Sequence, residues 1–533
     1  MKNLQEELER FPQYKDKLFI RSYILTSGEF PSIDSYPFYS NFNELKFDRY
    51  KLRVQNKLHL SYTNIKDNIY LVLIGNCINP FELVYDEDEI VNKIAKKVNL
   101  NEYNPLKTSI NYINELTGNF VLILIENDKI IALTDPAGML YGCYGCVDGQ
   151  LYMSSHPQLI ADIVNCSKDD YTIELEKYKF FYYYGVFFPG NRTQFKELKR
   201  LIQNHFIIID KNNHDTVERF YPTNELIYVK NDLEYNVLIE KTIKILKDTL
   251  KCIVEKYKRP AISLSGGMDS KTTLAVSNGL RNKFLFYSYN SMKGDTIDSN
   301  AAHKIANYLG IEHTIDNIPY TDENFSHIEL IRSIIEHNRG NYRVNVNDVR
   351  KRAYYDNKDA FDVEIKSWVS EIARANYYKK FGKIRMPKKL TPRQMTTMYK
   401  LFITERGLVH KTDKIFDEFI KLTNFHNIPE GYDESDLYLW EFRYPAWGGL
   451  TITAEHQYSY EIIIPYNNRL LLDLLLHARL EERISDKLHE RIIKTADAKI
   501  DEIGITITNW NETKFRMWCE KTYFNFNSLF SFV

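Results

Sequence analysis

Ala261-Ile262-Ser263-Leu264-Ser265-Gly266-Gly267-Met268-Asp269-Ser270-Lys271 begins as an apolar run, breaks at two glycines and continues as Thr272-Thr273-Leu274-Ala275-Val276. The order predicts a strand, a tight turn and a helix. Two glycines let the backbone bend sharply and bring several N–H groups toward one point, at which the partly positive end of the following helix also aims. An anion such as phosphate suits that geometry. Ser265 and Ser270 add hydroxyl donors, and Asp269 supplies a carboxylate where a hard cation bridging phosphates needs an oxygen ligand.

The loop lacks the Gly-Lys-Ser/Thr ending of a Walker loop and is shorter. It resembles instead the pyrophosphate loop of the N-type ATP pyrophosphatases, which split ATP into AMP and pyrophosphate while activating a carboxylate. A Gly-Gly turn in an ordinary α/β unit is the plain alternative.

Outward from the loop, strand and helix alternate from Pro260 on, as in a parallel sheet covered by helices. Phe284-Leu285-Phe286-Tyr287-Ser288-Tyr289 reads as the second strand, with a helix over Asp298–Leu309. Beyond about residue 395 amphipathic helices dominate, including 468–480 and 486–499. Before about residue 225 short apolar runs alternate with turns: 70–75, 120–125, 130–134, 149–154 and 205–210 read as strands. Glu126-Asn127-Asp128-Lys129 joins two of them as a hairpin. Residues 222–240 form a polar linker into a helix at about 233–256.

Asp298-Ser299-Asn300-Ala301-Ala302-His303, running on to Leu309-Gly310-Ile311-Glu312-His313, is similar to the second signature of the asparagine-synthetase branch of these pyrophosphatases. Leu116-Thr117-Gly118-Asn119-Phe120, Asp135-Pro136-Ala137-Gly138, Tyr141 to Tyr144, Gly149 to Ser155 and Phe187 to Leu198 are similar in order and spacing to that family's N-terminal-nucleophile glutaminase domain. The resemblance covers about residues 60 to 520. It implies an α/β fold of two parts. Residues 1–225 are expected to be an Ntn-hydrolase-like β-sandwich with αββα layers. Residues 235–533 are expected to be a doubly wound parallel-sheet ATP pyrophosphatase domain, adenine nucleotide α-hydrolase-like, with extra helices.

Glutamine-using relatives need a cysteine directly after the initiator Met, because the freed α-amine acts as base for its thiol. Lys2 stands there, and the first cysteine is Cys77. The expectation is a degenerate domain without glutaminase activity, so that free ammonia or a substrate amine supplies nitrogen, as in the β-lactam synthetases and lasso-peptide cyclases.

The resemblance also assigns roles. ATP is expected on Ser263, Leu264, Ser265, Gly266, Gly267, Met268, Asp269 and Ser270, with Tyr287 beside the adenine. Mg²⁺ is expected on Asp269 and on Glu371, the nearest equivalent of the family's magnesium-binding Asp in Lys366-Ser367-Trp368-Val369-Ser370-Glu371-Ile372, where the family's glycines are gone. A helix cap or ion pair of Glu371 with Arg374 is the alternative. Lys514, with Arg516 second, falls where amide-forming relatives place a basic loop that stabilises charge during acyl transfer.

Composition agrees and narrows little. The 533 residues carry 70 basic and 71 acidic side chains, so no global field argues for nucleic acid. The amino terminus reads as no secretory leader, and no window approaches the ~20 apolar residues of a membrane span. Six scattered cysteines fit a reduced, cytoplasmic setting. Cys143-Tyr144-Gly145-Cys146 reads as small residues in a hairpin, with a redox pair or half a zinc site as the alternative.

The expected function is an AMP- and pyrophosphate-forming amide synthetase acting on a small molecule or peptide that bears a carboxylate and an amine, without nucleic acid, membrane or glutamine. A homodimer is compatible with it. Ammonia-dependent asparagine synthesis and a catalytically silent nucleotide-binding scaffold are the alternatives.

Overall fold

The computed structural model describes residues 2–31, 41–178, 181–182, 185–292, 294–382, 386–399, 405–503 and 514–529. The strands before residue 225 are β1 (Tyr23–Thr26), β2 (Phe42–Phe47), β3 (Tyr50–Gln55), β4 (Leu60–Lys66), β5 (Ile69–Ile78), β6 (Thr117–Ile125), β7 (Lys129–Thr134), β8 (Cys143–Val147), β9 (Gln150–Ser154), β10 (Leu198–Arg200), β11 (His205–Asp210) and β12 (Asp215–Arg219). They form two antiparallel sheets, ordered β10-β8-β9-β1-β3-β2 and β12-β11-β7-β6-β5-β4.

Strand alternation explains the layering. In β5, Val72 and Ile74 face Leu25, Leu52 and Val54 of the other sheet. Leu71 and Leu73 point the opposite way, into a core shared with Ile90, Val91 and Ile94 of the helix Glu87–Ala95. The outer side of the first sheet buries Ile24 and Tyr152 with Leu159, Ile160 and the helix Ile328–Asn338. Helix, sheet, sheet and helix therefore stack in that order. The 126–129 turn closes with Glu126 N–H on the Lys129 carbonyl at 2.9 Å. Cys143 and Cys146 sit three apart on the β8–β9 hairpin, one buried and one exposed, so they face opposite sides.

The second half is built on β13 (Pro260–Ser263), β14 (Leu285–Asn290), β15 (Thr314–Asn317), β16 (Val363–Ile365) and β17 (Glu461–Ile463). All pair in parallel, in the order β15-β14-β13-β16-β17. The chain runs outward from β13 through β14 to β15 and then returns to the other side of β13. The gap between β13 and β16 is thus a topological switch point, where open α/β sheets take their ligands.

Three helix boundaries differ from the sequence reading. The 298–309 helix starts a turn earlier, at Asp295, whose carboxylate accepts the N–H groups of Ser291 and Met292 at 2.8 and 3.1 Å. The 468–480 helix ends at Leu476 because the His477 carbonyl is taken by Val229 N–H at 2.9 Å. The 486–499 helix breaks at Asp497, which is extended and accepts Lys499 N–H at 3.1 Å.

The halves share one core. Asp135, fully buried, accepts N–H groups of Met139 and Leu140 at 2.9 Å each and the Asn467 amide at 2.8 Å. Asn76 and Asn119 donate their amides to the Ile462 carbonyl of β17 at 3.2 and 2.8 Å. A wide π-helical segment, Leu439–Gly449, leans on the same region. Its Gly449 approaches so closely that a Cβ there would lie 2.1 Å from the Gly138 carbonyl oxygen, and Gly138 has φ +64°.

Candidate active site

The Ser-Gly-Gly loop leaves β13 at the switch point and opens on a cleft of about 270 Å³. Ser263, Leu264, Ser265, Gly267, Asp269, Ser270 and Glu371 all line it. The loop is internally braced: Ser265 N–H donates to Ser270 Oγ at 2.9 Å and Gly267 N–H to Ser265 Oγ at 3.2 Å. Gly266 N–H donates to Asp298 Oδ1 at 3.2 Å. Gly267 caps the helix Met268–Val276 with no side chain in the way, so the helix end faces the cleft. Met268 points elsewhere and packs against the core.

Asp269 and Glu371 are electrostatic neighbours. Burial first, and then the Asp269 charge, push the Glu371 carboxyl up to about 7. Tyr444 Oη donates to Glu371 Oε2. Arg374 does not pair with Glu371; its Nη1 lies 2.6 Å from Asp269 Oδ2, and its Nε lies 2.8 Å from Asp486 Oδ1. Ser370 Oγ donates to the other Asp269 oxygen. His489 sits behind, 3.8 Å from Asp269, and burial drives its imidazole down to about 4, so it is neutral there.

Tyr287 is placed differently from Ser288 and Tyr289, which reach the cleft. Its ring packs against Tyr355 and Phe361, at centroid distances of 5.5 and 5.0 Å, and borders a separate cavity. Lys514 opens the helix Lys514–Leu529, and its side chain lies outside the described residues.

Residues that the sequence reading left unassigned complete the wall. Asp295 and Asp298 come from the helix after β14, and Glu364 and Lys366 from the end of β16. Their signal is in the sequence: Val363-Glu364-Ile365-Lys366 puts charges at alternate positions of a strand buried in a parallel sheet, where apolar residues are the rule. Lys366 Nζ is 3.5 Å from Glu364 Oε1 and 4.8 Å from the Trp368 ring centre. Trp368 stacks in turn on Trp447, with centroids 5.6 Å apart and planes at 19°.

Five carboxylates and one cation, Lys366, therefore line the cleft. A polyanion enters such a wall only with cations of its own. Among the described residues no three His, Cys, Asp or Glu side chains converge as a closed metal cage. Magnesium asks for less, taking one or two carboxylates and completing its shell with phosphate oxygens and water. Asp269 and Glu371 fit that demand: burial raises Glu371 first, and the Asp269 charge that raises it further is a repulsion a dication would relieve.

No protein-family model and no curated protein sequence matches the chain. Among solved structures it is similar to a glutamine phosphoribosylpyrophosphate amidotransferase from B. subtilis complexed with ADP and GMP, at 11% identity over 67% of this chain and 77% of that one, TM-score 0.24. It is also similar to an NH3-dependent NAD synthetase from Campylobacter jejuni, at 11% identity over 37% of this chain and 97% of that one, TM-score 0.19. A glutamine-dependent NAD+ synthetase from Acinetobacter baumannii in complex with ADP matches at 11% identity over 54% and 68%, TM-score 0.20. Scores this low carry no functional argument. No described helix is long and apolar enough to cross a membrane.

Proposed function

We propose that the chain is an ATP-dependent amide synthetase that adenylates a carboxylate and passes the acyl group to an amine, releasing AMP and pyrophosphate. The observation that carries this reading is the braced Ser265–Ser270 loop at the switch point, with Asp269 and Glu371 beside it.

The start of the helix Met268–Val276 and the Ser265 and Ser270 hydroxyls would hold the phosphates that leave as pyrophosphate, the loop N–H groups bracing that turn from within. Asp269 and Glu371 would hold Mg²⁺, which neutralises the polyphosphate and polarises its oxygens. A substrate carboxylate oxygen bonds to the α-phosphorus as the bond to the bridging oxygen breaks. Lys366, held over Trp368, faces the charge that grows on the departing pyrophosphate. The amine nitrogen then bonds to the acyl carbon, the bond to AMP breaks, and the amine gives up one proton. Glutamine plays no part; the amine comes from the substrate or from ammonia. Lys514 is a second candidate for charge stabilisation in acyl transfer.

ATP–pyrophosphate exchange tests the reading. A panel of acids, incubated with the protein, ATP, Mg²⁺ and labelled pyrophosphate, should return label to ATP for at least one acid. Absence of exchange across amino, aromatic and sugar acids, together with no binding of α,β-methylene ATP, refutes it.

A further inference from the structure

A second cavity of about 240 Å³ adjoins the cleft, and Glu371 lines both. Tyr377, Tyr399, Tyr444 and Trp447 supply aromatic walls, and Arg443 reaches in from the π-helical segment. Such wide turns concentrate at functional sites.

Arg443 is the anomaly. Its Nη1 is buried with no hydrogen-bond partner, and among the described residues no carboxylate forms an ion pair with it. The guanidinium lies over the Phe187 ring at 4.3 Å and the Trp447 ring at 4.8 Å. Burial holds Arg443 below its usual range, and the titratable groups that bear on it are the phenols of Tyr377, Tyr438, Tyr444 and Tyr399, which are neutral at ordinary pH. Glu371, the cavity's one lining carboxylate, is engaged by Tyr444. Lys380, also on the wall, is paired with Glu520 at 2.9 Å. A guanidinium donor buried without a partner is costly, and ring faces recover only part of that cost. A planar fork with unused donors matches a carboxylate.

We infer that this cavity binds a second carboxylate of the substrate: the acid presented to ATP is a diacid with a flat or apolar body, whose distal carboxylate pairs with Arg443 between Tyr377, Tyr399 and Trp447. The words "presented to ATP" rest on the adenylating reading; the anion pocket itself does not.

Benzoate and its neutral isostere benzamide are suitable probes, titrated calorimetrically into the full chain with and without saturating α,β-methylene ATP. Benzoate should bind at least roughly tenfold more tightly than benzamide, and no less well with the nucleotide analogue present. Arg443→Met should abolish the preference while leaving binding of the analogue unchanged. Its melting temperature without ligand should equal or exceed that of the wild type, since a cation without a partner is removed; a purely structural arginine would lower it. Equal affinity for the two probes in the wild type overturns the inference, as does a preference that survives Arg443→Met. So does the absence of benzoate binding at about 20 mM, where even a millimolar site fills. Benzoate discrimination without analogue binding would instead sink the nucleotide reading and leave the anion pocket standing.

Discussion

Arg374 Nη1 lies 2.6 Å from Asp269 Oδ2, so the carboxylate proposed to meet a nucleotide-bound cation is held in advance by a guanidinium. The pair fixes the direction of the Asp269 carboxylate while leaving it on the wall of the cleft. Arg374 keeps a second partner in Asp486, so the loss of Asp269 does not strand it.

Asp269→Ala should therefore cost little stability, about 1 kcal/mol in a thermal or urea melt, because the pair is partly solvated and Arg374 retains Asp486. Exchange activity should fall by about 10³-fold. A variant that unfolds, or one that exchanges normally, would contradict the assignment.

Glu371 makes the site sensitive to pH. Its carboxyl is raised to about 7 by burial and by Asp269, and only the ionised form holds a cation. The Mg²⁺ concentration for half-maximal exchange should rise about tenfold for each unit of pH below that value, and Glu371→Gln should flatten the dependence. For the metal-free protein the sign is the reverse. A folded-state pKa above the unfolded one contributes stability at low pH that is lost as pH rises through about 7. Glu371→Gln should accordingly stabilise the metal-free protein at pH 8 by about 1–2 kcal/mol, read by denaturant titration.

Lys366 is the one cation among the residues lining the cleft. Lys366→Met should lower the exchange rate by about 10²-fold with a smaller change in nucleotide affinity, because the cation meets charge that grows during the reaction. An equal loss in affinity and rate would make it a ground-state phosphate binder.

Two glycines make opposite predictions. Gly449→Ala would place a Cβ 2.1 Å from the Gly138 carbonyl oxygen, whereas Gly407, in the helix Arg406–Leu422, has open space around it. The first should cost about 2–3 kcal/mol in urea denaturation through overpacking of backbone on backbone. The second should gain about 0.5 kcal/mol, the helix-propensity difference.

Much of this was legible in the chain. The apolar runs at 70–75 and 120–125 mark the strands that carry the sandwich, since a strand buried on both faces needs apolar residues at successive positions. Ser265 to Ser270 mark the loop, because turn, glycine and helix start are local properties. What stayed hidden depends on distant contacts. The end of the 468–480 helix is set by Val229, which nothing local announces. The packing of Tyr287 against Tyr355 and Phe361 follows from which face of β14 meets the interior, a choice the all-apolar start of that strand leaves open. Arg443 and Tyr444 carry no motif; they matter because a π-helical turn brings them to the cavity that Glu371 also lines, where Tyr444 donates to Glu371.

The cleft takes every lining side chain from Ser263 onward, yet Phe187 lies beneath Arg443 and Gly138 abuts Gly449. The amino-terminal half thus acts as a foundation for a recognition surface to which it lends almost no chemistry. Cutting the gene at the linker would deprive the remaining fragment of the floor on which its arginine rests.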